Sequence, residues 1–284
     1  MKKIGIIDYF IDEWHSNTYL GLFEKANEEL GLDYKIVYGY AEVEKEGRLT
    51  TKDWCQKNNI EVCESIEELC EKSDNILILA PANPETHLKY AKVALPYGKT
   101  TYIDKTFAPD LQTAKEIFAI AEKYNTKIFT SSALRFAEEI ADFSDVKNMI
   151  ITGGGGNLEE YVIHQIEMAV KLCGGETARE VHVFNKEKQA TVVIDFESKS
   201  AVLNYSRSSC GFSVDVESNS ERCDYKKISG GTEFYNLIKT ILTFFETSVV
   251  PFEQNETLQI LAIRDAVLKA VNAGYGHSVC VENC

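Results

Sequence analysis

Glu160, His164 and Glu167 stand at i, i+4 and i+7 of one helical stretch, Leu158–Leu172. At about 3.6 residues per turn, that spacing puts an imidazole and two carboxylates on a single helix face. Carboxylates so placed orient the ring and raise its pKa, which makes the trio a candidate proton relay; the same spacing also produces an ordinary solvated face. Val162, Ile163 and Ile166 put the buried side opposite. Lys105 is the second candidate. It follows the extended run Thr100–Ile103, at the carboxyl end of a strand, where open α/β sheets place their ligand crevice. Partial burial there lowers an amine's pKa and lets it exchange a proton, with Asp104 beside it; a fully exposed lysine is only a surface charge. Arg135, just after the strand Lys127–Thr130, suits either a carboxylated or hydroxylated ligand or an interdomain ion pair. The expected site is the cleft where Lys105 and His164 meet.

The elements that must position these residues follow two grammars. Residues 1–132 alternate short β-type runs with helical patterns: strands at Lys3–Ile7, Tyr34–Tyr38, Asn75–Leu79, Thr100–Ile103 and Lys127–Thr130, and helices at Thr18–Leu30, Ile66–Lys72, Glu85–Leu95 and Asp110–Tyr124. That rhythm specifies βαβ units and a parallel sheet covered on both faces. In residues 133–284 the helix Leu158–Leu172 is followed by four alternating runs, Val181–Asn185, Ala190–Glu197, Ala201–Arg207 and Phe212–Glu217, which suit an antiparallel meander. Helices at Glu233–Phe245 and Glu256–Ala273 close the chain, the second with Gly274 at its C-terminus. The expectation is an α/β protein: a Rossmann-like parallel-sheet domain over 1–132 and a smaller α+β domain, with a mainly antiparallel sheet, over 133–284. Gly153 to Gly156, before the helix of His164, either present amides to an anionic substrate or form a flexible connector after a short strand, Met149–Thr152.

The first strand-to-helix turn is where a dinucleotide's pyrophosphate would rest on helix amides. A G-x-G-x-x-G template laid on this turn finds Asp8, Phe10 and Glu13 where the glycines belong. Phe10 obstructs close backbone approach, and the two acids put negative charge beside an anionic ligand. The second strand, ending Val37-Tyr38-Gly39-Tyr40, offers no ribose-holding acid before Glu42. Trp14 and His15 read as a helix-start aromatic and its polar neighbour.

The whole chain bounds the partners. A formal charge of −14 and a pI near 4.9 over 284 residues disfavour nucleic acid and anionic membranes. The opening MKKIGIIDYFIDEW reads as a first strand rather than a signal peptide, and no run is long enough to span a bilayer. Eight cysteines without a CxxC pair fit reduced thiols in the cytoplasm and no metal site; Cys280 and Cys284 are either a redox pair or two free thiols at a frayed end. A small-molecule ligand and a homo-oligomer built through the C-terminal sheet are the partners that remain.

Several separated segments resemble the glucose-fructose oxidoreductase / inositol dehydrogenase / rhizopine-catabolism (Gfo/Idh/MocA) family. Leu79-Ala80-Pro81-Ala82-Asn83-Pro84-Glu85-Thr86-His87 is similar to its strand-end Thr-Pro-x-x-x-His segment, and Tyr102-Ile103-Asp104-Lys105-Thr106 stands where the family has Glu-Lys-Pro. Glu160 through Glu167 resembles its Asp-x-x-x-His-x-x-Asp helix with both acids lengthened, and Glu256 through Val281 its closing helix and strand. The resemblance implies that Lys105 lies near nicotinamide and substrate, that His164 takes part in proton transfer with Glu160 and Glu167 tuning it, and that Arg135 sits between the domains. It further implies NAD or NADP as cofactor, with Tyr9, Pro81, Asn83 and His87 on the cofactor side. Three readings follow: an NAD(P)-dependent oxidoreductase of a polyol, sugar or related small hydroxy compound; a non-catalytic binding or regulatory relative that has lost the dinucleotide; and an enzyme using the cleft for lyase or hydrolytic chemistry.

Overall fold

The computed structural model describes residues 1–184, 188–208, 210–220 and 222–282. The chain divides into two compact units, one of Met1–Ser131 with Phe234–Phe252 and one of Ser132–Glu233 with Glu253–Cys284.

The first unit runs β1 (Lys2–Asp8), α1 (Trp14–Leu30), β2 (Tyr34–Ala41), α2 (Thr51–Lys57), β3 (Glu61–Val62), α3 (Ile66–Lys72), β4 (Asn75–Ile78), α4 (His87–Ala94), β5 (Thr101–Ile103), α5 (Leu111–Lys123) and β6 (Ile128–Phe129). Its six strands lie in the order β3-β2-β1-β4-β5-β6 and every pairing is parallel. This is the Rossmann-like sheet expected from the βαβ rhythm. Side chains local to α2, α3 and α5 set where they begin: Thr50, Ser65 and Asp110 each accept an amide of the first turn. Gly31 ends α1 in the left-handed conformation at φ 64°. The short α2 and β3 carry too few turns or residues for periodicity to reveal, yet α2 buries Trp54 completely, with its Nε1 donating to Asn17 Oδ1 at 2.8 Å.

The second unit holds β7 (Val146–Gly154), α6 (Leu158–Cys173), β8 (Glu180–Phe184), β9 (Gln189–Asp195), β10 (Ser200–Ser206), β11 (Ser213–Ser218) and β12 (Cys223–Lys227). After α7 (Glu233–Thr247) come its last elements, α8 (Gln254–Ala273) and β13 (Ser278–Cys280). The sheet order is β12-β11-β7-β10-β9-β8-β13. This corrects the four-strand meander: β8, β9 and β10 do pair antiparallel in succession, but β7 inserts between β10 and β11, parallel to the first and antiparallel to the second. Alternation along a strand specifies which side chains are buried and says nothing of which strand lies beside it. Asn185 of the expected strand Val181–Asn185, and Cys284 of the tail thiol pair, lie outside the described residues.

The division also corrects the boundaries 1–132 and 133–284. Most of α7 returns to the first unit, where Leu237, Ile238, Ile241 and Phe244 are buried. Phe244 meets Phe129 edge-on at 4.9 Å, Phe245 lies 6.2 Å from Tyr34, and Glu246 accepts from Lys2 and Tyr34 at 2.7 and 2.8 Å. An amphipathic helix settles where its apolar stripe is covered, wherever in the chain that surface lies.

Candidate functional site

In the first unit the carboxyl edge of the sheet is built by the first turn, by the segment after β4 and by the segment after β5. Glu13 is the N-cap of α1: its Oε1 accepts the Ser16 amide at 2.6 Å, and the Ser16 hydroxyl accepts the Glu13 amide at 3.4 Å. The other carboxylate oxygen lies 3.0 Å from His15 Nδ1. Burial pushes the Glu13 carboxyl up, but the His15 hydrogen bond and charge and the nearby amides outweigh it, so the group stays below its ordinary value. The other ring nitrogen of His15 stands 3.8 Å from Asp104 Oδ2. Asp104 is buried; its Oδ1 accepts the Tyr102 hydroxyl at 2.9 Å, while Oδ2 has no hydrogen-bond partner among the described residues. Trp14, Tyr19 and Phe234 surround the His15 ring at 5.0, 5.7 and 6.1 Å.

Asp8, at the end of β1, is fully buried and accepts the Tyr9 and Ala80 amides through Oδ1 at 2.7 and 3.1 Å, leaving Oδ2 without a partner among the described residues. Burial, then the charges of Glu13 and Asp104, hold its carboxyl well above the usual carboxylate range. An acid whose folded pKa is raised favours folding below its unfolded value, and that contribution is lost as pH rises towards the folded value. Asp8→Asn keeps the Oδ1 acceptor and removes the titration. Its denaturation midpoint is expected to exceed that of the wild type at pH 7 and to converge with it near about pH 4. A constant difference across that range in paired urea titrations would refute the assignment.

Lys105 follows β5, half-buried, with Nζ donating to the Pro81 carbonyl at 3.2 Å. The Lys105–Thr106 peptide bond is cis. Asn83 donates to Glu85 at 2.9 Å, and Ala80, between β4 and this segment, takes a left-handed φ of 50°. His87 differs from expectation. It is fully buried, with Nδ1 3.0 Å from the Phe107 carbonyl and Nε2 2.7 Å from the Leu79 carbonyl, so it braces the two segments from behind instead of facing a ligand. Burial pulls its pKa down against the two carbonyl bonds.

The first turn and the acid beyond β2 do not offer the phosphate and ribose contacts on which a dinucleotide usually rests. Besides the Glu13 cap, the Glu42 and Val43 amides donate to the Asp8 and Tyr9 carbonyls at 3.1 and 2.9 Å, continuing the β1–β2 pairing past both strands. Asp12 accepts the Leu49 amide at 2.9 Å, and Lys45 lies 4.0 Å from the Phe10 ring centroid. Glu42, the acid beyond β2, already binds Lys89 at 2.7 Å and Tyr90 at 2.8 Å. The anion cradle and the ribose acid are both engaged by the chain's own groups.

In the second unit His164 is half-buried, with Nδ1 2.7 Å from the Ser132 hydroxyl and with Tyr161 and Phe212 at 5.8 and 6.0 Å from its ring. The two acids expected to tune it have other engagements: Glu160 accepts from the cap residue Asn157 at 3.1 Å, and buried Glu167 pairs with Arg135 at 3.2 Å. Arg135 also binds Glu256, and its own carbonyl takes Lys171 Nζ at 2.7 Å, so it forms an ion pair inside this unit. Gly153, Gly154 and Gly155 are buried and closely packed, while Gly156 is exposed. Gly153 and Gly154 belong to β7, and a Cβ on Gly153, Gly154 or Gly155 would run into the Phe212 ring, the Ser206 carbonyl or the Tyr161 ring. The missing side chains let the rings that flank His164 lie against the sheet. Another group is His182, which lies 3.4 and 3.3 Å from Glu180 and Asp195; Glu180 and His182 share a strand face at i, i+2, and the β8–β9 pairing adds Asp195.

What the first turn conceals from a glycine template, it partly shows by composition. Glu13 and His15 lie 91 and 89 residues from Asp104, and only the parallel order β1-β4-β5 unites them. Glu13 three residues before Ser16 was the local signal, a capping box read in reverse.

Together these features define a doubly covered Rossmann-type unit with an altered first turn, followed in the chain by an α+β unit. Residues 36–132 match the family described as "Oxidoreductase family, NAD-binding Rossmann fold", the Gfo/Idh/MocA family, so the resemblance read from the motifs holds over that segment. The matched segment begins within β2 and leaves out β1 and the first turn. An uncharacterised oxidoreductase of Escherichia coli (strain K12), YhhX, is 29% identical over 107 residues, 38% of this chain and 30% of the relative. One of Schizosaccharomyces pombe is 28% identical over 37% of this chain and 28% of its own length, so the chain matches less than a third of either curated relative. Among solved structures, GenD2 from gentamicin A biosynthesis, in complex with NAD, has a TM-score of 0.80 at 12% identity over 99% of this chain and 96% of its own. A myo-inositol dehydrogenase from Corynebacterium glutamicum has 0.76 at 14% over 100% and 99%. These likenesses establish the fold.

Proposed function

We propose that this chain is an NAD(P)-dependent oxidoreductase that moves a hydride between a nicotinamide and a polyol, sugar or related small hydroxy compound. The family description over residues 36–132 supports the class, and the NAD complex and the inositol dehydrogenase among the structural relatives support the cofactor type and a hydroxylated substrate. The observation that carries the reading is Lys105: a half-buried amine at the carboxyl end of a parallel strand, next to buried Asp104 and held by the Pro81 carbonyl. In this reading Lys105 holds or takes the proton of the reacting hydroxyl, and His164, steadied by Ser132, passes a proton on. Tyr9, Pro81 and Asn83 remain the cofactor-side residues, for either NAD or NADP.

The test is a polyol and sugar screen with each of the two cofactors, followed by nicotinamide absorbance. Lys105→Ala and His164→Ala are each expected to lower kcat by about a hundredfold or more. No turnover on any compound would favour the second reading, a small-molecule binding relative that has lost the dinucleotide, which the engaged first turn supports.

A homo-oligomer through the second unit's sheet belongs to the same proposal. Ile150, Val202 and Val193 are cross-strand neighbours on the side of β7, β10 and β9 that faces away from the buried residues. Ile150→Glu is expected to halve a dimeric mass in light scattering; a monomeric wild type would remove the idea. No helix among the described residues is long and apolar enough to cross a membrane. Among the described residues the thiols are unpaired, which supports a reducing, cytoplasmic setting.

A further inference from the structure

We infer that Glu13 is an internal anion, occupying the end of α1 where the phosphates of a dinucleotide would lie, and that it governs how tightly this protein holds such a ligand. The inference rests on the oxidoreductase reading only for the ligand being a dinucleotide, and it makes the hold on that ligand weak.

A helix N-terminus offers unpaired amides and a partial positive charge, which is why phosphates settle there. In this chain a carboxylate already does so. Glu13 accepts the Ser16 amide through one oxygen and faces His15 Nδ1 with the other, so both oxygens are committed, and the residue is only 7% exposed. The hold is reciprocal, because the Ser16 hydroxyl accepts the Glu13 amide and donates to the Ile11 carbonyl. An arriving phosphate would therefore meet a carboxylate instead of free amides, with like charge repelling it.

A second observation points the same way. The Asp8 carboxyl lies fully buried beside this turn with Oδ2 unpartnered among the described residues, and Glu13 heads the charges that act on it. The crevice has been rebuilt around acids; its backbone is tied to residues 42 and 43 and its Asp12 side chain to the Leu49 amide, so the turn cannot simply open towards a ligand while those bonds persist. Shorter neutral caps serve a helix as well as glutamate does, so capping alone does not call for this residue.

Calorimetric titration with pyrophosphate and with ADP-ribose tests the inference, since neither probe carries a nicotinamide. The wild type is expected to saturate only at millimolar concentration. Glu13→Ser, which keeps a neutral cap oxygen, is expected to bind both probes about tenfold more tightly, and Glu13→Asn repeats the test with a second neutral cap. Micromolar ADP-ribose binding by the wild type would overturn the inference. So would two folded variants, checked by circular dichroism, that bind no more tightly than the wild type. A failed polyol screen alongside tightened ADP-ribose binding would refute catalysis and leave the role of Glu13 standing.

Discussion

Gly154→Ala is expected to destabilise the second unit by about 3 kcal/mol, read as a lower urea midpoint. The residue lies within β7, paired through β10, and the atom its Cβ would strike is the backbone carbonyl of Ser206. No rotamer change relieves a collision with backbone, so the β7–β10 pairing itself must part. Gly155→Ala meets the Tyr161 ring instead, which can turn aside, and about 1 kcal/mol is expected. Its larger consequence is local, because Tyr161 flanks His164. If the glycines served only as a flexible connector, the two substitutions would be small and alike. A Gly154→Ala protein as stable as Gly155→Ala would restore the connector account.

Arg135→Met is expected to cost about 3–5 kcal/mol. The side chains of Arg135 and Glu167 are 8% and 5% exposed, and Glu256 completes the cluster at the guanidinium. Removing the cation leaves Glu167 buried with its principal counter-charge gone, and Arg135 also fixes the segment whose carbonyl holds Lys171. The pair as a unit is worth much less than the broken pair costs, since two charges have been taken out of water to form it. The double variant Arg135→Met with Glu167→Met is therefore expected to recover most of the loss. A single variant within about 0.5 kcal/mol of wild type would show that the pair is hydrated in solution.

Much of the first unit was legible in the sequence because its information is local. Strand runs, helix periods and caps such as Ser65 and Asp110 lie within a few residues of the element they specify, and βαβ succession leaves few topologies. Lys105 and His164 stood out by type and neighbours as candidates, and the altered fingerprint at Asp8, Phe10 and Glu13 was visible as an absence. What occupied the place of the phosphates was less so: the cap between Glu13 and Ser16 is local, but Asp104, which stands near His15, lies far along the chain.

By itself the sequence determined the class of fold, the parallel sheet and the residues capable of proton chemistry, since hydrophobic period, turn residues and side-chain pKa are properties of short segments. Only the tertiary structure decided that α7 returns to the first unit, that β7 parts β10 from β11, that Glu167 belongs to Arg135, and that Asp104 stands near His15. Each of these is a choice among partners of similar chemistry. Which partner wins depends on what surfaces remain uncovered once the rest of the chain has packed.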